Sequence, residues 1–519
     1  MTTSSARRLV AVALALLVAG VASARVPFGL YPFSAAEFRD ADKLQAACAA
    51  PAPTSFWCHD LERPIQRVPS KGIDYFFSEA GEVVAAFAKF QRGQQLSNYQ
   101  VENRDNLVPS DALIPAAAIL LDGVYHPPED PVATWTEDGP SVLRGHFLYR
   151  AGGLEVEVGL ELSNVVQTLR YAVDVRVPAD APEDLQLPET VQFAVGGVRR
   201  QDAPVIKIGH GGTFTLNPPS APYNDPEYLS LQTSNNHRNS DSVIVMTVGE
   251  GPAGSASGDP LQAISLGNRK AGMQAAFDDG ARLTVDLFLS KDELVRLYQE
   301  SYAGLPGLFT PNILGRLSLW VLVALEFIHQ YVNNWALSII VLTLLFRALV
   351  WPLITTQTRS MFGMQKLQPE LQKLQKKYKD DREKLTQETM KLYKEAGVNP
   401  AGGCLPILLQ MPLFIILWRV FVNFEFDEGF LWIPDLGLSD PIFILPALYV
   451  LVMLGMSWFS ARGNPTMLRQ SMLINVVFVF IIVGFPAGVL LYFVVSMGVQ
   501  VFQYWLLSRN QPKPATAKA

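Results

Sequence analysis

The chain is short of the residues that carry most enzymatic and redox chemistry. Its 519 residues include three cysteines and six histidines. It contains no GxxxxGK[ST], HExxH, CxxC or GxSxG pattern, which excludes the familiar nucleotide motor, zinc protease, redox pair and serine-hydrolase elbow. Cys404 has no Cys or His neighbour at metal-ligand spacing and reads as a packing residue. No metal, cofactor or covalent catalysis is expected. Basic residues are outnumbered, 42 against 48 acidic, and the net charge of -6 argues against general nucleic-acid binding. Beyond the N-terminus, long apolar runs are almost absent before residue 311 and frequent after it.

That asymmetry sets the class, because 519 residues are too many for one ordinary domain. The expectation is a polytopic α-helical membrane protein with a large exported all-β sandwich. Residues 1–24 carry Arg7-Arg8, an apolar run from Leu9 to Gly20, and Ala22-Ser23-Ala24. This is a signal or membrane-anchor pattern, and the residues after it are exported either way. In an oxidising compartment Cys48 and Cys58 either pair or remain two small unpaired side chains. Residues 25–302 hold alternating strands, clearest at Leu154–Ser163 and Leu169–Val177. Further strand candidates are Gln192–Val198, Ser242–Val248 and Ala281–Leu289, separated by turn clusters such as Asn217-Pro218-Pro219-Ser220. His210 and His237 fall in polar loops, with no carboxylate or nucleophile at a recognisable spacing.

Residues 303–333 include an apolar run broken by Arg316, Glu326 and His329. If it spanned, the Lys-rich segment that follows would fall outside the cell, against the positive-inside rule, so an interfacial amphipathic helix is expected. Five spans follow, at 334–354, 401–424, 441–460, 470–485 and 487–507, within a core reaching 510. The loop after the second carries Glu425, Asp427, Glu428, Asp435 and Asp440 and no base. The opposite loops carry Arg359, Lys366, Lys373, Lys376, Arg462, Arg469 and Arg509. The loop 356–398 and the tail 511–519 are therefore expected in the cytoplasm. Within 356–398, Met361, Met364, Leu367, Leu371, Leu374 and Tyr378 recur at three- and four-residue steps. Leu385, Leu392 and Ala396 line a return helix, so a helical hairpin and docking surface are expected.

Polar side chains recur at one depth. Thr343 and Arg347 share a face of the first span, as do Tyr492, Ser496 and Gln500 of the last. Arg347 and Gln500 each lie thirteen residues from their outer ends at 334 and 487, roughly 20 Å deep at ~1.5 Å per residue. Gln410 sits at a similar depth, with Ser457 and Asn475 on the remaining spans. A charge in lipid is costly and usually faces a wet cavity. The expected cavity opens to the cytoplasm and is sealed outside, which is wrong for a channel and right for accepting polar segments. The span at 470–485 offers only ~24 Å of helix against a hydrocarbon core of ~30 Å, which favours local thinning.

Residues 334–507 resemble the Oxa/YidC/Alb family of membrane protein insertases. The resemblance is carried by Asn334-Trp335, Arg347 and Pro352, by Leu367-Gln368-Pro369, and by Val398-Asn399-Pro400 with Gly402-Gly403-Cys404-Leu405-Pro406. Gln410-Met411-Pro412, Phe485-Pro486-Ala487-Gly488, Leu491-Tyr492 and Ser496 complete it. It implies a five-helix core whose groove, here Arg347, Thr343, Gln410, Ser496, Gln500 and Tyr492, receives polar tails or loops of nascent membrane proteins. It also implies an apolar slide on the lipid-exposed face at Leu413, Leu417, Val477, Phe478 and Ile481. Implied partners are the Sec translocon (SecYEG, SecDF), the ribosome through the cytoplasmic loops, and membrane lipids. The chain departs from the pattern at Met497, at Arg419 and in its short tail. Two rivals remain, a solute transporter and a carbohydrate-acting exported domain held by the spans. Uptake assays expose the first, and insertion that survives deletion of 30–295 excludes the second.

Overall fold

The structure is a computed structural model. It describes residues 27–509 except 50–55, 90–98, 101–105, 109–113, 165, 197–203, 234–241, 251–253, 256–259, 268–269, 292–293, 310–311, 380, 398–404, 425, 427 and 461–481. The chain divides into two compact units, Met1–Pro311 and Asn312–Ala519.

The N-terminal unit is built from three antiparallel sheets. The largest has its strands in the order Thr213–Leu216, Pro204–His210, Tyr228–Thr233, Ser242–Val248, Gly280–Lys291, Thr168–Arg176, Leu154–Ser163, Val142–Ala151, Glu129–Glu137. Its alternating strands behave as their sequences require: Leu154, Val156, Val158, Leu160 and Leu162 are buried while the residues between them are not. Register follows from that alternation, with Leu160 opposite Tyr171 and Val158 opposite Val173. A six-stranded sheet runs from Tyr223–Asn224 to Val124–Tyr125 through the pair Thr190–Val195 and Ala118–Leu121. The third sheet is a meander of Tyr31–Phe33, Ile65–Pro69, Ile73–Phe77 and Val83–Ala88. Residues of all three sheets share one core.

The third sheet escaped the strand pattern for a physical reason. Ile73–Phe77 and Val83–Ala88 are buried on both faces, so their sequences do not alternate. Short helices at Ala41–Cys48, Trp57–Asp60 and Leu294–Gln299 also make the unit β-rich rather than all-β. Cys48 and Cys58 are joined in a disulfide with a Cα–Cα distance of 5.2 Å, which settles their two open readings. His210 ends a strand, its ring Nε2 3.1 Å from the Thr215 hydroxyl, and His237 lies outside the described residues.

An ion cluster is buried in the third sheet. Asp74, fully buried, lies 2.7 Å from Lys89 Nζ and 3.3 Å from the Arg67 guanidinium, and the Tyr99 hydroxyl donates to it. Glu300 holds the loop before Thr168, accepting from the Gln167 amide at 2.8 Å and the Thr168 hydroxyl at 2.5 Å. Burial raises its carboxyl above the usual range, while those donors pull the other way.

The C-terminal unit is helical. Helix α1 (Ile313–Val332) starts at Asn312, whose side chain accepts from the Gly315 amide at 2.8 Å. It ends at Asn333 in the left-handed region, and Asn334 caps the next helix, accepting from Leu337 at 3.1 Å. The adjacent asparagines thus make the turn in which the Asn334-Trp335 motif begins. Gly315, Ser318, Leu322, Leu325 and Ile328 form its buried stripe. The exposed side carries Trp320, Val323, Phe327 and Tyr331, so α1 is less amphipathic than expected, and at 20 residues it is long and apolar enough to cross a membrane.

Helix α2 (Trp335–Leu349) gives way at Val350 to α3 (Trp351–Lys377), and α2 is bent by 62° against the first part of α3, Trp351–Ser360. Pro352, in the first turn of α3, has no amide to continue the α2 ladder, which accounts for the break. The expected span 334–354 is therefore two helices, and α3 runs unbroken from the bend into the hairpin. Its partner α4 (Arg382–Glu395) is capped by Asp381, which accepts from Lys384 at 3.0 Å, and stops at Gly397 with φ +65°. Leu371 is buried and Leu367, Leu374, Tyr378, Leu385 and Leu392 are half-buried, whereas Ala396 is exposed.

Helices α5 (Leu405–Asn423), α6 (Ile444–Ser460) and α7 (Ala487–Arg509) correspond to the second, third and fifth expected spans. The fourth, 470–485, lies outside the described residues except for its last four. Among the described residues, α1 and α7 each pass as single spans, the bent pair α2–α3 passes as one, and α5 and α6 contribute shorter apolar stretches. Of the acidic residues expected on the outer side, Asp435 and Asp440 are buried structural groups. Asp440 accepts from the Trp432 indole at 3.0 Å and from Leu445 at 2.6 Å at the start of α6. The Ala487-Gly488 step docks on this loop, its amides donating to the Leu438 and Leu436 carbonyls at 2.5 and 2.8 Å. A Cβ at Gly488 would lie 3.1 Å from the Phe421 ring, which explains the small residue in the Pro-Ala-Gly motif.

Candidate functional site

The bundle of the C-terminal unit changes character along its length. At the end where α2 and α7 begin, Trp335, Phe421, Phe424 and Phe426 pack edge to face or stacked, with centroids 5.0–5.8 Å apart. Leu436 is buried beside them. A second aromatic group, Phe414, Trp418, Phe485 and Phe493, follows. Beyond it lies a cavity of about 230 Å³, walled by Phe346, Arg347, Val350, Ile354, Gln410, Tyr449, Phe493, Ser496, Met497 and Gln500.

Among the described residues Arg347 is the one charged group in that wall. It sits on the last turn of α2, four residues past Thr343, and is 7% exposed. Its guanidinium donates twice to the Ser496 hydroxyl, from Nε at 2.7 Å and from a terminal nitrogen. Ser496 is fully buried, so it cannot offer the arginine a route to water. Among the described residues no carboxylate pairs with Arg347. A guanidinium has five donors and no acceptor, so one hydroxyl leaves most of its capacity facing the cavity. One turn back on α7, the Tyr492 hydroxyl accepts from the Gln410 amide at 2.8 Å, tying α5 to α7. Gln500 completes the wall one turn beyond Ser496.

Five of the six expected groove residues thus belong to one polar constellation: Arg347, Gln410, Ser496 and Gln500 on the wall, and Tyr492 bonded to Gln410. Thr343 is the exception. It is buried, and its hydroxyl donates at 2.6 Å to the Ile339 carbonyl of its own helix, as helical threonines commonly do. The expected slide is altered as well. Leu413 is half-buried and Leu417 is 5% exposed, whereas Met411 and Ile415 are exposed. The open face of α5 is thus rotated from Leu417 onto Met411 and Ile415, because Leu417 lies with Ile416 and Val420 on the packed side. Val477, Phe478, Ile481 and Asn475 lie outside the described residues. Arg419 is half-buried, and Glu425 and Asp427 are likewise outside the described residues.

Sequence reasoning missed three features. Tyr449 on α6 lines the cavity, and nothing distinguishes it from a lipid-facing tyrosine without the fold. Gln503 on α7 secures the bend: its amide donates to the Trp351 carbonyl at 3.1 Å and the Thr355 hydroxyl at 2.8 Å. Gln357, on the hairpin side of the bend, is buried although its surrounding sequence reads as solvated.

Comparisons with known proteins fall on this same unit. Residues 327–514 match the family model described as 60Kd inner membrane protein. The membrane protein insertase YidC of Deinococcus radiodurans is 39% identical over 235 residues, covering 44% of this chain and 55% of that protein. The insertase of the same name from Haemophilus ducreyi is 42% identical over 204 residues, covering 37% of each. The matches thus span about half, or less, of the length of these curated relatives. A solved structure, an active YidC insertase crystal structure with the first transmembrane domain resolved, covers 98% of this chain and 100% of its own at a TM-score of 0.53 and 18% identity. At that identity it is a likeness of fold.

Proposed function

We propose, on the premise that this chain belongs through residues 327–514 to the Oxa/YidC/Alb family of 60 kDa inner membrane proteins, that it inserts and helps fold proteins in a bacterial inner membrane. The observation that carries the reading is Arg347, a buried cation with no carboxylate partner among the described residues, on the wall of a cavity with Gln410, Ser496 and Gln500. Such a charge costs ~2.5–3.5 kcal/mol at the centre of a bilayer helix, and a purely structural arginine would be expected to carry a counter-ion. An incoming polar or acidic segment supplies the missing acceptors. Its apolar neighbour meanwhile moves along lipid beside Met411 and Ile415. No bond is made or broken; the protein lowers the cost of desolvating a polar segment part-way across the membrane.

The basic loops set the orientation, with α3, α4 and the C-terminus cytoplasmic and the N-terminal unit outside. In that orientation the aromatic end of the bundle is the outer seal. Helix α1 lies along the outer interface with Trp320 and Tyr331 towards lipid, because crossing would invert every later loop. The α3–α4 hairpin is the docking surface for nascent chains and the ribosome, and the Sec translocon is a further partner. The test is reconstitution of the full chain in liposomes with a two-span test protein. The loop of that protein should become protease-protected several times faster than in empty liposomes; equal rates would remove the insertase reading.

A further inference from the structure

Gln357 lies on α3, on the hairpin side of the bend. It is 5% exposed, yet among the described residues neither its amide nitrogen nor its amide oxygen has a hydrogen-bond partner. Its neighbours on α3 are satisfied: the Thr355 hydroxyl accepts from Gln503 at 2.8 Å, and the Thr358 hydroxyl donates to the Ile354 carbonyl at 2.8 Å. A buried carboxamide without partners loses its hydration and gains nothing in exchange, which is why native proteins rarely keep one. Gln357 also sits at a particular place. Ile354, three residues earlier on α3, and Val350, at the bend seven residues earlier, both line the Arg347 cavity. Steps of four and three put all three on one helical stripe. Gln357 is not on the cavity wall itself; it follows Ile354 on that stripe, one turn further past the bend.

We propose that Gln357 is a second recognition residue of the groove, which hydrogen-bonds the backbone of the incoming polypeptide. The chemistry selects the ligand. A carboxamide has two donors and an acceptor and no net charge, so its natural complement is a peptide group, which has one donor and one acceptor. Arg347 only donates and favours acidic segments; Gln357 binds any segment that is still extended and unpaired. The two divide the work between charge and backbone, and a peptide leaving Gln357 for the bilayer must first satisfy its own amides, as a helix does. This inference rests on the insertase reading.

The experiment uses the full chain in liposomes with two test proteins that differ only in a neutral or an acidic loop. Gln357→Leu should slow insertion of both by about 5- to 10-fold, the loss of one or two hydrogen bonds. Their ratio should stay at the wild-type value, and the melting temperature should hold or rise, because an unpaired polar group has been removed. A photoreactive benzoylphenylalanine at position 357 should crosslink to an arrested loop, whereas one at Leu349, 78% exposed on α2, should not. If Gln357→Leu unfolds, this crosslink decides alone. Unchanged insertion by Gln357→Leu with no adduct at 357 overturns the role of Gln357 and leaves the insertase standing. A loss confined to the acidic loop also overturns it. Wild type no better than empty liposomes overturns both.

Discussion

Arg347→Ala should slow the insertion of a two-span protein with an acidic loop by about 10- to 100-fold, and that of the same protein with a neutral loop by less than about threefold. The first figure follows from losing a charge-assisted hydrogen bond, worth ~1.5–3 kcal/mol, at about 1.4 kcal/mol per factor of ten. Full Coulomb attraction in a partly dry site would be larger, but cavity water screens it. The second figure is small because Gln410 and Gln500 still wet the wall. Arg347→Lys should lie between, since it keeps the charge and loses the planar fork that grips Ser496 and a carboxylate together. Protease-protected fraction against time, in matched liposomes, is the readout. Equal slowing of both loops would make Arg347 a general wetting group and sink the charge-capture mechanism. Folding should tolerate the alanine, because it removes a buried charge whose donors reach a single hydroxyl, that of Ser496.

The second large effect is expected in the N-terminal unit. Asp74→Ala should destabilise its third sheet by ~3–5 kcal/mol, the usual result of breaking a buried ion pair on one side. Lys89, 6% exposed, would lose its carboxylate and keep the Ser70 carbonyl at 2.7 Å, and Arg67 and Tyr99 would each lose an acceptor. Burial, then the Asp74 carboxylate, hold the Tyr99 hydroxyl protonated well above its ordinary range, so Tyr99 is the donor in its bond to Asp74. Hydrogen exchange on the full chain reads the effect. Amides of Ile65–Pro69, Ile73–Phe77 and Val83–Ala88 should exchange more than about 100-fold faster, with α2 and α7 unchanged. The pair Asp74→Leu with Lys89→Met should lose much less, since apolar replacements of buried ion pairs are often near neutral. A single mutant that exchanges like wild type would show the cluster to be energetically idle.

What could be read from the sequence depended on how much of each signal was local. Leu154–Ser163 was legible to the residue because one of its faces is buried and the other is not. Ile73–Phe77 was not, because full burial erases alternation. The apolar helices α2, α5, α6 and α7 were legible from hydropathy, but the break at Val350 rested on a single residue, Pro352, and was absorbed into one span. Spacing along α7 grouped Tyr492 with Ser496 and Gln500, of which the last two line the cavity, since i, i+4 neighbours share a face whatever surrounds them. The same rule grouped Thr343 with Arg347, yet it cannot reveal that a threonine has turned its hydroxyl back on its own helix. Leu417 failed similarly, because hydropathy cannot tell a packed leucine from a lipid-facing one. Tyr449 and Gln357 depend on which helices meet, and only the fold supplies that.

The central claim is a wet pocket closed at the aromatic end and open towards the hairpin. Its most direct test is thiol access at Gln500→Cys, in a chain whose Cys404 is replaced by Ser, using a membrane-impermeant maleimide. Inside-out membrane vesicles should label rapidly at position 500, and labelling should slow when a polar segment is arrested in the pocket. Right-side-out vesicles should stay unlabelled. Labelling from the outer face, or none from either face, would contradict the account.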